Sequence, residues 1–347
     1  MKRVLNRILA GCAKALLSGF LFLLAAEGAT RIYVERYRNR SITYDRRLGW
    51  KSRGDHRYRG RQRDAAGREY DVHIQTDANG FRQFGDRSAQ KPRVFVIGDS
   101  FTHAVEVSNE HTYYHVLAER LDAEIFAYGA LGYGTLQEFM ILDEWLERIR
   151  PDLIVIQFCA NDFINNSFAL ERASVVNNNR MRRPYLESDG TIRYAMPARW
   201  SGLRHFANRH SRLLYFLISR LDLRRAARRS SQGVEHRIMK EGVDHDGFRR
   251  AADATERIFA MIAERAGPAT VLAFHESRAE PYDREFRRIL ARTGIAELPG
   301  IPEALRRAEA EGRVVRAWDG SHWNPDGHRV VGELLAGQLE PYLVDAR

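Results

Sequence analysis

Cysteine is nearly missing from this sequence, with only Cys12 and Cys159 among 347 residues. Two thiols cannot make the disulfide framework of a small secreted scaffold. Cys159 stands at the end of an apolar run, where a thiol is ordinarily packing. No grouping of histidine, cysteine and carboxylates has metal-ligand spacing, so neither a metal nor another cofactor is expected. No internal repeat is visible. The apolar share, 44%, is ordinary, which excludes wholesale disorder and allows a sizeable core. The length fits one large domain with an appendage.

Charge is unevenly distributed. The net charge is +10, and residues 171–250 alone hold 18 Lys+Arg against 8 Asp+Glu. Such a stretch suits an anionic lipid or an acidic polysaccharide, or is simply a solvated helical face. Its arginines lack the regular aromatic interleaving of a base-stacking platform, so no nucleic acid is expected.

Residues 1–28 carry a mainly apolar run, Ile8 to Ala26, broken by Lys14. Counted from Ile8 it reaches the ~20 residues that a membrane helix needs. Lys14 can snorkel to the headgroups. The small residues of Ala25-Ala26-Glu27-Gly28-Ala29 also fit a cleaved signal peptide, but Glu27 weakens that cleavage site. An uncleaved anchor is the expectation. Lys2, Arg3 and Arg7 precede the run while Arg31, Arg36, Arg38 and Arg40 follow it, so charge does not decide its orientation.

Residues 29–91 form an accessory collar. It has one alternating piece, Tyr70–Thr76, which predicts an exposed strand or hairpin before a turn at Asn79-Gly80. From Pro92 the pattern becomes regular. Val94-Phe95-Val96-Ile97 is the uninterrupted apolar run of a strand buried on both faces. A helix near Thr112–Leu121, a strand at Glu124–Tyr128, a helix through Leu136–Ile149 and a strand at Leu153–Phe158 follow. Residues 163–246 interrupt this alternation as a basic, partly helical insertion, expected over the carboxyl edge of the sheet. A helix at Phe248–Arg265, a fourth strand at Thr270–Phe274 and a fifth at Arg313–Ala317 complete the expectation. Alternation at this spacing predicts a parallel, five-stranded α/β sheet with helices on both faces.

Gly98-Asp99-Ser100 ends the first strand, Gly132 lies in the turn after the second, and Asn161-Asp162 follows the third. Asp319-Gly320-Ser321-His322 comes after the fifth. Carboxyl edges of such sheets are where ligands bind. A serine nucleophile needs a base within hydrogen-bond reach, a carboxylate to orient that base, and donors for the developing oxyanion. With Ser100 as the serine, His322 and Asp319 answer the first two needs. The backbone N–H groups of Ser100 and Gly132 and the side chain of Asn161 answer the last. His328 suits a helix-opening structural role, since one base is enough. Thr102 stands where a Gly-x-Ser-x-Gly elbow requires glycine.

These four blocks, with Trp323-Asn324-Pro325-Asp326-Gly327-His328 trailing the last, resemble the SGNH hydrolase family, also called GDSL esterases. The resemblance covers roughly residues 92–340, within a domain of 92–347. It implies a flavodoxin-like three-layer α/β/α sandwich with Ser100 as nucleophile, His322 as base and Asp319 as its orienter. It also implies an oxyanion hole of Ser100, Gly132 and Asn161. Cys159-Ala160 departs from the glycines that many members carry before Asn-Asp. Membrane-anchored bacterial members imply an inner-membrane protein, its catalytic domain outside the cytoplasm, removing O-acetyl groups from an envelope or exported glycan. Acetyl transfer to a polysaccharide and an inactive glycan-binding scaffold remain the alternatives.

Overall fold

The computed structural model describes residues 2–37, 41–198, 200–229 and 233–344. Helix α1 (Lys2–Tyr37) comes first, followed by the hairpins β1–β2 (Ile42–Asp45, Gly49–Ser52) and β3–β4 (Arg57–Arg63, Glu69–Gln75). The alternating core opens with β5 (Arg93–Gly98), the short helix α2 (Ser100–His103), α3 (Tyr113–Arg120) and β6 (Glu124–Gly129). It continues with α4 (Thr135–Ile149) and β7 (Leu153–Phe158). Then come α5 (Asp162–Asn165), α6 (Phe168–Ala173) and the hairpin β8–β9 (Arg183–Leu186, Ile192–Ala195). Helices α7 (Ser201–His210), α8 (Arg212–Arg229) and α9 (Val234–Glu241) follow. The core resumes with α10 (Asp246–Ala266), β10 (Thr270–His275), α11 (Tyr282–Thr293), β11 (Ala296–Glu297), α12 (Ile301–Ala310) and α13 (Pro325–Val344).

The chain divides into two compact units. The larger contains the five-stranded parallel sheet, in the order β11-β10-β7-β5-β6. Numbered within the sheet this is 5-4-3-1-2, the flavodoxin-like winding, whose switch point lies between β5 and β7. The apolar strands are continuous because both faces are covered. Val94 and Val96 pack on one side with Leu117, Leu305 and Leu335. Phe95 and Ile97 pack on the other with Leu142, Trp145 and Ile258. Leu48, Trp50 and Phe81 from the 41–91 segment are buried in that second cluster.

The fifth strand is not where the sequence pattern put it. Arg313–Ala317 makes only isolated antiparallel bridges, Arg316 to Trp323 and Ala317 to Asp64. Val315 and Ala317 are buried and the residues between and before them are not. Such a one-sided segment cannot fill a position covered on both faces. The edge is taken by β11, bonded to β10 at Leu272–Ala296 and Ala273–Glu297.

The smaller unit consists of α1 with α7 and α8. Over Asn6–Val34 α1 is long and apolar enough to cross a membrane. The helix runs on to Tyr37, and Arg38 and Arg40 lie outside the described residues. The segment expected as one insertion is thus divided. Its first part and α9 belong to the larger unit, while residues 200–229 group with α1.

Candidate active site

Strand β5 stops at Gly98, where a Cβ would lie 2.4 Å from both Thr102 Oγ1 and Gln157 Oε1. Glycine therefore lets α2 fold back over the strand end. Asp99 caps α2 by accepting the Phe101 N–H at 3.1 Å. Ser100 opens the helix, so its N–H is among those with no intrahelical acceptor. The Ser100 Oγ lies 2.8 Å from His322 Nε2 and 3.3 Å from Asp99 Oδ2. On the far side of the ring, His322 Nδ1 is 2.5 Å from Asp319 Oδ2. Asp319 Oδ1 accepts the N–H groups of Ser321 and His322, each at 3.0 Å. Two residues more than 200 positions apart in sequence thus meet at the carboxyl edge of β5.

Burial alone would push the His322 pKa down. Its bond to Asp319 and the negative charges of Glu106 and Asp319 outweigh that and hold it at about 9. Burial would raise Asp319, but the imidazole and two backbone N–H groups bring it down to about 2. The pair is therefore a carboxylate holding a basic imidazole in the tautomer that leaves Nε2 to the serine.

The neighbouring strands bring up the other candidates. Gly98 pairs with Gly129 of β6 and Gln157 of β7, so Gly132 and Asn161 leave the sheet at the same edge as Ser100. Gly132 has φ +67°, and a Cβ there would meet Asn179 Oδ1 at 2.2 Å. That position admits only glycine without rearrangement. Its carbonyl accepts from the buried Arg183 Nη2 at 2.5 Å and from Asn179 Nδ2 at 3.3 Å. Asn161 caps α5 immediately after Cys159-Ala160. Among the described residues no hydrogen bond joins its side chain to Ser100 or His322, and its Oδ1 is buried without a partner.

Four supporting residues were not visible in the sequence pattern. Glu106 is buried with Oε1 3.9 Å from His322 Nδ1, a second carboxylate on the same imidazole. Burial raises its pKa and the imidazole charge opposes that. Glu106, Asp319 and His322 offer one ligand atom each, all within 4.8 Å of one another. Both ring nitrogens of His322 are already committed, to Ser100 and Asp319, which favours a base with two carboxylates over a metal site. Trp50, from β2, donates its indole N–H to the Leu131 carbonyl at 2.8 Å. That carbonyl and the Gly132 N–H belong to one peptide group, so Trp50 sets the plane in which the N–H points. His103 Nδ1 accepts the Leu131 N–H at 3.2 Å. Burial, helped by the Arg82 charge, pushes the His103 pKa down to about 3 and keeps it a neutral acceptor. Arg82 donates to the carbonyls of His103, Ala104 and Val107 at 2.6, 2.8 and 3.0 Å. A lone tryptophan in the arginine- and glycine-rich collar was the available signal for Trp50. For Glu106 it was a carboxylate six residues beyond the serine.

The remaining candidates have structural surroundings. His328 is fully buried, accepts the Tyr113 N–H at 3.3 Å and is stacked on the Tyr113 ring. Asp326 pairs with Arg329. The Cys159 thiol is buried, and desolvation raises its pKa well above the ordinary value. A cavity of about 460 Å³ lined by Arg57, Tyr58, Arg59, His73 and Arg82, among others, includes none of Ser100, Gly132, Asn161, Asp319 and His322.

The sequence profile of the GDSL-like lipase/acylhydrolase family matches residues 96–330, more than half of the chain. The chain belongs to this family. It is accordingly a serine ester hydrolase. Among solved structures, TesA is similar over 72% of this chain and 99% of its own, at 16% identity and a TM-score of 0.41. The Clostridium thermocellum family 3 carbohydrate esterase is similar over 74% of this chain and 99% of its own, at 11% identity and a TM-score of 0.41. A two-domain esterase active on acetylated mannans is similar over 76% of this chain and 56% of its own, at 12% identity and a TM-score of 0.41. No curated protein sequence matches the chain.

Proposed function

We propose that Ser100 is the nucleophile of an esterase that removes O-acetyl groups from a cell-envelope or exported glycan. The observation that carries the reading is the continuous chain of contacts from Ser100 Oγ through His322 to Asp319. As Oγ attacks the acyl carbon, its proton passes to His322 Nε2. Asp319 stabilises the imidazolium that results. The tetrahedral oxygen accepts from the N–H groups of Ser100 and Gly132 and from the Asn161 amide. His322 then returns the proton to the departing sugar oxygen, which leaves an acyl-serine. Water, deprotonated by the same Nε2, attacks this ester and releases acetate and Ser100.

A glycan substrate is supported by the open surroundings of the base. Trp318 adjoins Asp319 and is 64% exposed, and an exposed aromatic face beside a polar site suits a sugar ring. The α1 span is proposed to anchor the enzyme in a bacterial inner membrane with the larger unit outside the cytoplasm, where such a glycan is found. Residues 41–91 are proposed to act with the rest of the larger unit as one catalytic body.

The test compares acetate release from acetylated oligosaccharides with hydrolysis of an aryl acetate, using the full chain and Ser100→Ala. Both activities should vanish in the variant with no change in melting temperature. Cleavage of the aryl acetate alone, across a range of acetylated glycans, would leave the esterase and remove the glycan.

A further inference from the structure

Glu27 lies just beyond the apolar run of α1, and its carboxylate is committed to α8. Oε1 accepts the Arg212 N–H at 2.9 Å, and Oε2 accepts the Leu213 N–H at 2.9 Å and the Ser211 hydroxyl at 2.8 Å. The first turn of α8 is therefore capped by a residue from α1, an anion at a helix N-terminus. Arg31 Nη2 donates to the His210 carbonyl at 3.2 Å, and the Tyr33 and Phe216 rings meet edge to face at 6.5 Å. These contacts hold the start of α8 at the level of Glu27–Tyr33, directly beyond the Ile8–Ala26 apolar run.

The helices held there expose what a water-facing pair would bury. Leu217, Leu221 and Leu223 of α8 and Leu203 and Phe206 of α7 are exposed, as is Trp200 just before α7. Soluble helices ordinarily present one apolar stripe to a core, and exposed apolar surface of this extent marks an interaction site. Charge narrows the partner. Residues 201–229 contain eight arginines and one acidic residue, Asp222. Asp222 is ion-paired with Arg204. Along α8 the apolar residues come first, and Arg224 and Arg225 extend from the later turns into solvent. Apolar side chains followed by arginines, continuous with an apolar helix exposed from Ile8 to Ala25, match the interface of an anionic bilayer.

We propose that α7 and α8 form a membrane-surface hairpin. Its leucines and Phe206 enter the acyl boundary beside α1, and its arginines contact anionic headgroups. The inference rests on the reading of α1 as a span. It also gives Glu27 a role that cleavage of the leader near Ala29 would abolish.

The test uses the full chain, with Cys12→Ser, in bilayer discs of phosphatidylcholine with and without phosphatidylglycerol. Single nitroxides are attached at Leu217→Cys or Leu221→Cys, with Leu21→Cys in α1 and Asp71→Cys on the exposed β4 strand as references. Collision with oxygen relative to a water-soluble nickel chelate reports depth. The ratio at positions 217 and 221 should be severalfold above that at 71 and approach that at 21. Nickel access should fall further with anionic lipid. Replacing Arg220, Arg224 and Arg225 by glutamine should remove that lipid dependence. Nickel access at 217 and 221 equal to that at 71, with position 21 still in lipid, would overturn the hairpin and leave the span. Nickel access at 21 as well would overturn both. Low access to both reagents at 217 and 221 would mean that protein covers the face, which also overturns the proposal.

Discussion

The loop that carries Ser100 and the turn that carries His322 are held in opposite ways. Every residue of α2 is buried, and Arg82 ties three carbonyls between residues 103 and 107. Ser100 is thus fixed by the same packing that forms the sheet. The Asp319–His322 turn lies at the surface and holds itself by Asp319 bonds to Ser321 and His322. Its outside support comes from the Phe101 ring, 4.8 Å from the imidazole, and from the β3–β4 hairpin. The Trp318 N–H donates to the Arg63 carbonyl at 2.9 Å, and the Ala65 N–H to the Arg316 carbonyl at 3.0 Å. Loss of packing in the serine loop, at Phe101 for instance, should therefore register in stability and rate together, and truncation of Ser100 itself or damage to the base turn mainly in rate.

The largest expected effect is on the base. His322→Ala should reduce aryl acetate hydrolysis about as far as Ser100→Ala, since base and nucleophile act as a unit. Its urea midpoint should hardly move when measured above pH 9, where the wild-type imidazole is neutral. A variant that keeps a tenth of the wild-type rate would show that another group takes the proton. Asn161→Ala should lower kcat by roughly 10²–10³ with KM little changed, as for a donor used mainly in the transition state. A change confined to KM would place Asn161 in ground-state binding.

Trp50→Phe tests the collar's hold on the Gly132 peptide. Losing the indole N–H should lower kcat by about tenfold, or ~1.4 kcal/mol in barrier, with KM preserved. Equal loss after an apolar substitution elsewhere in that cluster, at Leu48 for instance, would make the effect one of packing only.

The smallest effect concerns pH. His322 must be neutral to accept the serine proton, so kcat/KM should rise with pH through a midpoint near 9, the value its carboxylates impose, and level off above it. Glu106→Gln removes one of those charges and should move the rise to lower pH, because protonated His322 loses a partner. An unmoved profile would detach Glu106 from the base. The same raised pKa stabilises the fold fully below the unfolded histidine value of about 6.5. That contribution should be lost as pH rises through about 9, and thermal melts of Ser100→Ala would measure it.

Much of this organisation is legible in the sequence. The apolar runs at Val94–Ile97 and Leu153–Phe158 are short, rich in β-branched residues and bounded by breakers, as strands covered on both sides are, and their ends carry Ser100 and Asn161. Asp319 and His322 were readable from their spacing, and the 2.8 Å approach to Ser100 is a matter of tertiary geometry. Periodicity misassigned the fifth strand because Arg313–Ala317 has the alternation of an edge and too little apolar surface for a sheet. Glu106, Trp50 and Arg82 act across elements, through contacts that leave no local pattern. The basic stretch read as one insertion because composition does not record that residues 200–229 join α1.

The most direct test of the central claim is covalent capture at the serine. An alkyl fluorophosphonate added to the full chain should attach once, and peptide mapping should find it on Ser100. His322→Ala should react far more slowly, and Ser100→Ala should not react at all. A single adduct mapped to any other residue, or undiminished labelling of Ser100→Ala, would contradict an acyl-serine mechanism through Ser100.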